Sequence, residues 1–322
     1  MTIEVKKSIE LISEEWSTYT QSFNQVFNKS NSTEYFKHKY INSIDGFSYH
    51  ALLKDEEFVV GGCTIIPYEY YFKNEINKVG LTVDVFISKN YRKDPYYLYD
   101  MYEKLKKELI LNGISLVIAV PNDTAYSYWK NIVKWKDIGF LKYYAIAIRL
   151  GNTIGKIRKI LNVFSLLTSN IFIAISFFVR STEKLYLIRI NRVSNIIEKQ
   201  RYTHEHNLVN QQNIFYSYHI VNEAGIETCY LIDFYCKKTK IKDSFTLYKA
   251  IRYICRKERV DLILYVGQLS FFQMLLFKVP FRSEPKHLYF MADVINFSNI
   301  RNIELIYNIK NWDFGLLNYD VR

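Results

Sequence analysis

With 322 residues, the chain is long enough for a large core and for two domains. Some 49% of it is apolar and 17% aromatic, while Gly (11) and Pro (5) are scarce, which excludes disordered and fibrous classes. The formal charge of +11 suits an anionic partner (a nucleotide, a phosphorylated sugar, nucleic acid or an acidic membrane surface) or simply reflects solvated lysine; no basic run is long enough for a nucleic-acid arm.

The N-terminus, Met1-Thr-Ile-Glu-Val-Lys-Lys7, has no signal-peptide core. Cys63, Cys229, Cys236 and Cys255 lack metal spacing and sit mostly in apolar runs, as expected of reduced, buried thiols in a cytoplasmic protein. Trp16, Tyr19, Phe23, Val26 and Phe27 recur at helical spacing and predict an amphipathic first helix. A short helix over Ser32–Tyr40 follows. Next come strands at Tyr49–Leu53 and Phe58–Pro67 around the turn Lys54-Asp-Glu-Glu57, a loop near Asn74–Asn77, and a strand starting near Val79.

Leu81–Ile87 reads as strand and Asn90–Pro95 as a basic turn. Tyr96 to about Leu111 reads as helix, and Ile114–Val120 as a very apolar strand closing on Pro121-Asn122. A helix and a Trp-containing return to Ile138 complete the unit. A strand ending in a basic turn at a helix N-terminus is one way to hold a phosphate, because free amides and the helix dipole point there.

Ile160–Val179 carries no charge and is bracketed by Arg158-Lys159 and Arg180. Its serines, threonine and asparagines, with Thr168-Ser169-Asn170 as a turn, predict a helical hairpin packed on the protein. A surface-lying element touching a membrane or another protein, and a true span, are the other readings. Beyond it the first pattern returns 146 positions later (268 − 122 = 146): Val117–Val120 falls on Ile263–Val266, Asn122 on Gln268 and Trp135 on Phe281. Tyr102, Leu105 and Leu109 fall on Tyr248, Ile251 and Cys255. The expected organisation is two units of one α/β kind, 1–150 and 185–322, joined by a helical connection over 151–184.

With these pieces in order, the chain resembles the GNAT (acyl-CoA N-acyltransferase) superfamily, tandem-domain type, as found in bacterial polysaccharide loci. Glu34-Tyr-Phe-Lys-His-Lys-Tyr40 resembles that group's YFxWKY entry, with His38 where Trp is usual. Gly61-Gly62 through Pro67, Val85 through Arg92, and Pro121-Asn122 through Gly139 resemble its hairpin, cofactor and closing motifs; Trp312–Asp320 resembles its aromatic C-terminus. The resemblance implies two mixed sheets flanked by helices as a tandem repeat. It also implies acyl-CoA (acetyl-CoA) as cosubstrate without a metal, bound by the Val85, Phe86 and Ile87 strand and by Arg92, Lys93, Tyr96, Tyr97 and Asn122. As catalytic candidates it implies Asp84 on the first strand and Tyr126 or Tyr128 after the second. Alternation puts Phe86 and Ser88 on Asp84's face, flanked by apolar Val83 and Val85.

Both glycines usual in the family's phosphate turn are missing, where this chain reads Arg92-Lys93-Asp94-Pro95-Tyr96-Tyr97. Pro95 has no amide hydrogen, and Asp94 before it reads as an ordinary helix N-cap. Asn122-Asp-Thr likewise reads as an N-cap cluster. His38 and His50 fit structural roles, and His204 and His206 a solvated loop. Asp233 and Glu227 lie in the second unit's corresponding strand. The expected function is CoA-dependent N- or O-acyl transfer to an amino sugar or similar glycan precursor. The alternatives are a Fem-type transferase using aminoacyl-tRNA, which needs no CoA turn, and a non-catalytic binding protein that retains the fold.

Overall fold

The computed structural model describes all residues except 153–157, 180–185, 193–205, 239–241, 278–286, 297–302 and 320–322. The chain forms two compact units, each assembled from separated stretches: Met1–Phe140, Ile188–Tyr202 and Leu288–Ile309 in the first, and Leu141–Leu187, Thr203–His287 and Lys310–Arg322 in the second. Contiguous halves were expected. Strand pairing produces the difference, because each sheet is completed by a strand from beyond its own half of the sequence.

In the first unit, β1 (Thr2–Lys7), β2 (Tyr49–Asp55), β3 (Phe58–Phe72), β4 (Glu75–Ile87) and β5 (Ile114–Ala119) lie side by side in that order. α1 (Ser13–Phe27), capped where the Ile12 amide donates to Glu15 Oε2, buries Trp16, Tyr19 and Phe23. It ends at Asn28 in the left-handed region, a common helix stop. α2 (Thr33–Ile41) starts where Ser32 Oγ accepts from the Tyr35 amide. β3 and β4 are longer than expected. They form one hairpin that turns at Lys73 (φ 56°) and takes in the predicted loop.

α3 (Tyr97–Leu111) lays Leu98, Met101, Tyr102, Leu105 and Leu109 on one sheet face; α4 (Asp123–Asn131) adds Trp129, which packs with Trp135. β6 (Lys136–Phe140) does not pair with β5. The strand between them, β13 (Tyr289–Val294), comes from near the C-terminus, with Ala292 opposite both Ile118 and Lys136.

The second sheet runs in the order β7 (Lys142–Ala147), β12 (Leu262–Gly267), β11 (Ile226–Cys236), β10 (Ile214–Glu223) and β9 (Asn207–Gln211). β7 follows β6 directly in the chain but edges this other sheet, pairing Ile146 with Ile263. α5 (Arg158–Ser176) is one continuous helix, not the predicted hairpin. The would-be turn residues satisfy carbonyls instead: Thr168 Oγ1 donates to Phe164 O (3.0 Å) and Ser169 Oγ to Ala147 O (2.6 Å). β8 (Ile188–Ile190) returns to the first unit to edge β3. α6 (Ser244–Lys257), capped by Asp243, buries Leu247, Tyr248, Ile251 and Ile254, and the short α7 (Phe271–Met274) is capped by Ser270.

Among the described residues no helix is long and apolar enough to cross a membrane. All four cysteines are free; Cys63 and Cys229 are buried, Cys236 and Cys255 partly so.

Candidate active site

β4 and β5 are parallel from Lys78↔Ile114 to Leu81↔Ile118, where their ladder ends; β4 continues to Ile87 along β3 alone. A β-bulge follows this parting. Thr64 faces Val83 and Gly62 faces Phe86, so two residues of β4 are accommodated where β3 has one. Asp84 sits in the bulge with φ 50°, a left-handed conformation that Asp tolerates better than most residues. Gly62 is needed opposite, since a Cβ there would lie 2.8 Å from Phe86 Cε1 and 3.0 Å from Tyr19 Cε2.

The bulge re-aims Asp84. Strict alternation placed it with Phe86 and Ser88 on a part-apolar surface. Instead its Oδ2 accepts from Lys39 Nζ at 2.6 Å and from the Tyr40 hydroxyl at 2.5 Å. Behind Tyr40 a buried hydrogen-bond chain runs through the Tyr19 hydroxyl (2.8 Å), Thr64 Oγ1 (3.2 Å), His50 Nδ1 (3.0 Å) and, from His50 Nε2, Ser48 Oγ (2.9 Å). Trp16 and Phe36 wall this chain with aromatic rings. Burial, then the Asp84 charge, holds the Tyr40 phenol well above its ordinary value, and the same two causes raise Tyr19. Burial alone lowers His50 to about 3, so the ring is neutral.

None of Lys39, Tyr40, Tyr19, His50 and Thr64 was expected in the site: Tyr19 reads from sequence as part of the first helix's apolar stripe and His50 as structural. The signal was the Lys39-Tyr40 end of the entry motif. What could not be read was the bulge that turns Asp84 toward it.

The implied cofactor residues divide between two faces. Val85, Ile87 and Tyr97, with the catalytic candidate Tyr126, pack against the core under α3, whereas Phe86 points to the other face and packs edge-on against Tyr19 and Phe23. In the turn, Arg92 Nε donates to Ile87 O at 2.7 Å. Asp94 Oδ1 accepts from the Tyr96 amide at 2.9 Å, and the helix begins at Tyr97, two residues later than an Asp94 N-cap followed by Pro95 would start it. Lys93 and Tyr96 are exposed. This turn does not fit a pyrophosphate, because one amide is taken by a carboxylate and the residue before it is proline.

Asn122 Oδ1 caps α4, accepting from the Ala125 amide at 2.9 Å. The Tyr126 hydroxyl accepts from Lys130 Nζ (2.7 Å) and donates to Asp137 (3.3 Å), and its ring stacks on Tyr289 at 3.6 Å. Tyr128 is exposed.

The second unit repeats the arrangement in sealed form. β11 and β12 run parallel up to Tyr230↔Leu264. Asp233 lies three residues beyond that last pair (233 − 230 = 3), as Asp84 lies three beyond Leu81 (84 − 81 = 3). The paired strands are offset by 146 at β5/β12 (262 − 116) but by 149 at β4/β11 (228 − 79), so the second unit's connection between its parallel strands is three residues shorter (149 − 146 = 3). Asp233 is fully buried 3.9 Å from Lys242 Nζ, which also donates to the Tyr265 hydroxyl at 2.9 Å and lies 2.9 Å from Asp313. The C-terminal segment closes over it: Gly315 bridges Gly267, and the Gln268 amide, paired in the sequence repeat with Asn122, donates to Phe314 O at 2.9 Å. Phe281 and His204 lie outside the described residues. The His206 ring meets that of His219 edge-on, and among the described residues no cluster of His, Cys, Asp or Glu could hold a metal ion.

Solved structures align with the chain over most of its length. A GCN5-related N-acetyltransferase from Anabaena variabilis superposes with TM-score 0.60 at 13% identity, over 92% of this chain and 73% of that one. The fold is GNAT-like. A GCN5-related N-acetyltransferase from Kribbella flavida gives TM-score 0.59 at 9% identity, over 92% and 72%. The Saccharomyces cerevisiae N-myristoyltransferase with bound myristoyl-CoA gives 0.54 at 10%, over 90% and 82%. No family model matches the chain, and no curated protein matches it in sequence.

Proposed function

We propose that the chain is an acyltransferase whose first unit transfers an acyl group to an amine, on an amino sugar or similar glycan precursor, with Asp84 as proton acceptor. The observation carrying this reading is the Asp84 bulge, placed directly beyond the end of the parallel ladder and tied to Lys39 and Tyr40. An ammonium must lose a proton before it can attack a carbonyl, and a positioned carboxylate commonly supplies about 10²–10⁴-fold in such a step. Tyr40 and Lys39 fix the carboxylate's direction. Tyr40 is anchored in turn through Tyr19, Thr64 and His50, and its raised pKa keeps it a hydrogen-bond donor near neutrality.

The second unit is the less suitable site, since its equivalent Asp233 is buried under the chain's own C-terminal segment. The donor is an activated acyl group. Acyl-CoA is favoured by the solved N-acyltransferases that share the fold. A second donor, aminoacyl-tRNA, is favoured by one specific observation, the Asp94–Tyr96 bond that closes the phosphate turn.

Calorimetry with acetyl-CoA and desulfo-CoA, alongside tRNA retention across a salt series, distinguishes the donors. Millimolar CoA titrations that stay flat, together with tRNA binding that falls steeply with salt, would replace the CoA reading with the tRNA one. Flat results in both would leave the fold without a transferase function.

A further inference from the structure

α5 is built inside out. Its serines face the protein: Ser165 Oγ donates to Ile148 O at 3.0 Å and accepts from the Leu150 amide at 3.0 Å, Ser169 Oγ donates to Ala147 O, and Ser176 Oγ lies 3.3 Å from Leu275 O. All three are buried. The opposite face carries Ile160, Val163, Phe164, Leu167, Ile171 and Ile175, all exposed, Phe164 at 65% and Ile175 at 61%. Their spacing of three, four, seven, eleven and fifteen from Ile160 makes one straight stripe. Phe178, 83% exposed, extends it. A helix packed only for its own protein's stability would turn this stripe inward, so the pattern marks a surface kept for a counter-surface.

We infer that α5 lies flat on an anionic lipid surface, inserting this stripe between headgroups. Three observations select that occupant. First, the sequence around the stripe is basic and free of acid: residues 151–182 contain Lys156, Arg158, Lys159 and Arg180 and no Asp or Glu, in a chain of net charge +11. Basic residues beside an apolar stripe are drawn to acidic headgroups. Second, both ends of the helix are flanked by cations, so a second copy of this helix, parallel or antiparallel, would bring like charges together. Third, no helix among the described residues suits crossing the bilayer, whereas nineteen residues give a stripe about 28 Å long for lying along it. The inference stands independently of the acyl-transfer reading.

The test floats the full-length protein on phosphatidylcholine vesicles with and without phosphatidylglycerol. The expected result is flotation with the anionic vesicles, weakened by salt, and at least about tenfold weaker binding for the double variant F164S/I171S, which removes two inserting side chains. Both positions are exposed, so the variant's circular dichroism and thermal midpoint should match the parent's. Absence of flotation by the parent, equal flotation by the variant, or equal flotation on neutral vesicles would overturn the inference. So would a concentration-dependent dimer, seen by light scattering, that the double variant abolishes, because the stripe would then belong to a second copy.

Discussion

Reopening the turn after β4 tests whether the first unit is built for a CoA-type donor. In the double variant D94G/P95A the carboxylate that accepts from the Tyr96 amide at 2.9 Å disappears, and position 95 gains an amide hydrogen. A hydrogen bond from a freed amide to a charged phosphate contributes about 1.5–3 kcal/mol. Removing a carboxylate about 4 Å from the phosphate relieves about 1 kcal/mol in water. Ordering a more flexible turn offsets about 1–2 kcal/mol. The net gain is about 2 kcal/mol, or roughly thirtyfold in affinity. Calorimetry should show that tightening for CoA but not for pantetheine, which lacks the pyrophosphate, while loss of the Asp94–Tyr96 bond lowers stability by about 1 kcal/mol. Unchanged CoA affinity, or equal gains for both ligands, would mean that phosphate does not approach this turn and that the reasoning from the missing amides is wrong.

D84N should lower the acyl-transfer rate by about 10²–10⁴-fold with little change in donor affinity, and K39M by less; steady-state kinetics against an amino-sugar panel would measure both. His50 predicts a pH effect on folding. Because its pKa falls from 6.5 to about 3 on burial, the unfolded chain binds the extra proton between those values, and stability drops as pH falls through the window. From pH 7 to pH 5 the loss is about 2 kcal/mol in denaturant titrations, and H50Q should flatten that slope. E15Q should destabilise the first unit by about 3 kcal/mol, since it strips Lys54 and Lys6 of a carboxylate at 2.9 and 2.5 Å; a midpoint shift under a third of that would show the pairs to be dispensable. Finally, the Cys63 thiol, pushed up to about 12 by burial, should resist thiol reagents until the unit unfolds, as a stopped-flow assay with an aromatic disulfide would show.

The order of strands and helices from Trp16 to Ile138 was readable because each element carries its own period and punctuation, such as Ser32, Asn122 and Gly113 at helix ends. The β5/β12 equivalence was readable for the same reason. Three features were not. The bulge at Asp84 is one left-handed residue inside a regular alternation, so local pattern pointed the carboxylate at the wrong neighbours. α5 reads as a hairpin only if Thr168-Ser169-Asn170 must be a turn; in the structure Thr168 and Ser169 bond to carbonyls instead. The composite make-up of each unit follows from pairings such as Ile118 with Ala292, more than 150 positions away (292 − 118 = 174), which no window along the chain contains.

That late-arriving β13 has a consequence during synthesis. Until residue 294 has left the ribosome, β5 and β6 have no shared neighbour, and the apolar edge of Leu116–Ala119 stays open. The first unit therefore stays incomplete until most of the chain has been made, although it begins first. A nascent chain stalled anywhere before that point would present an unprotected strand edge to chaperones or to other chains. Cutting after residue 150 should yield an aggregating fragment in place of a small autonomous domain.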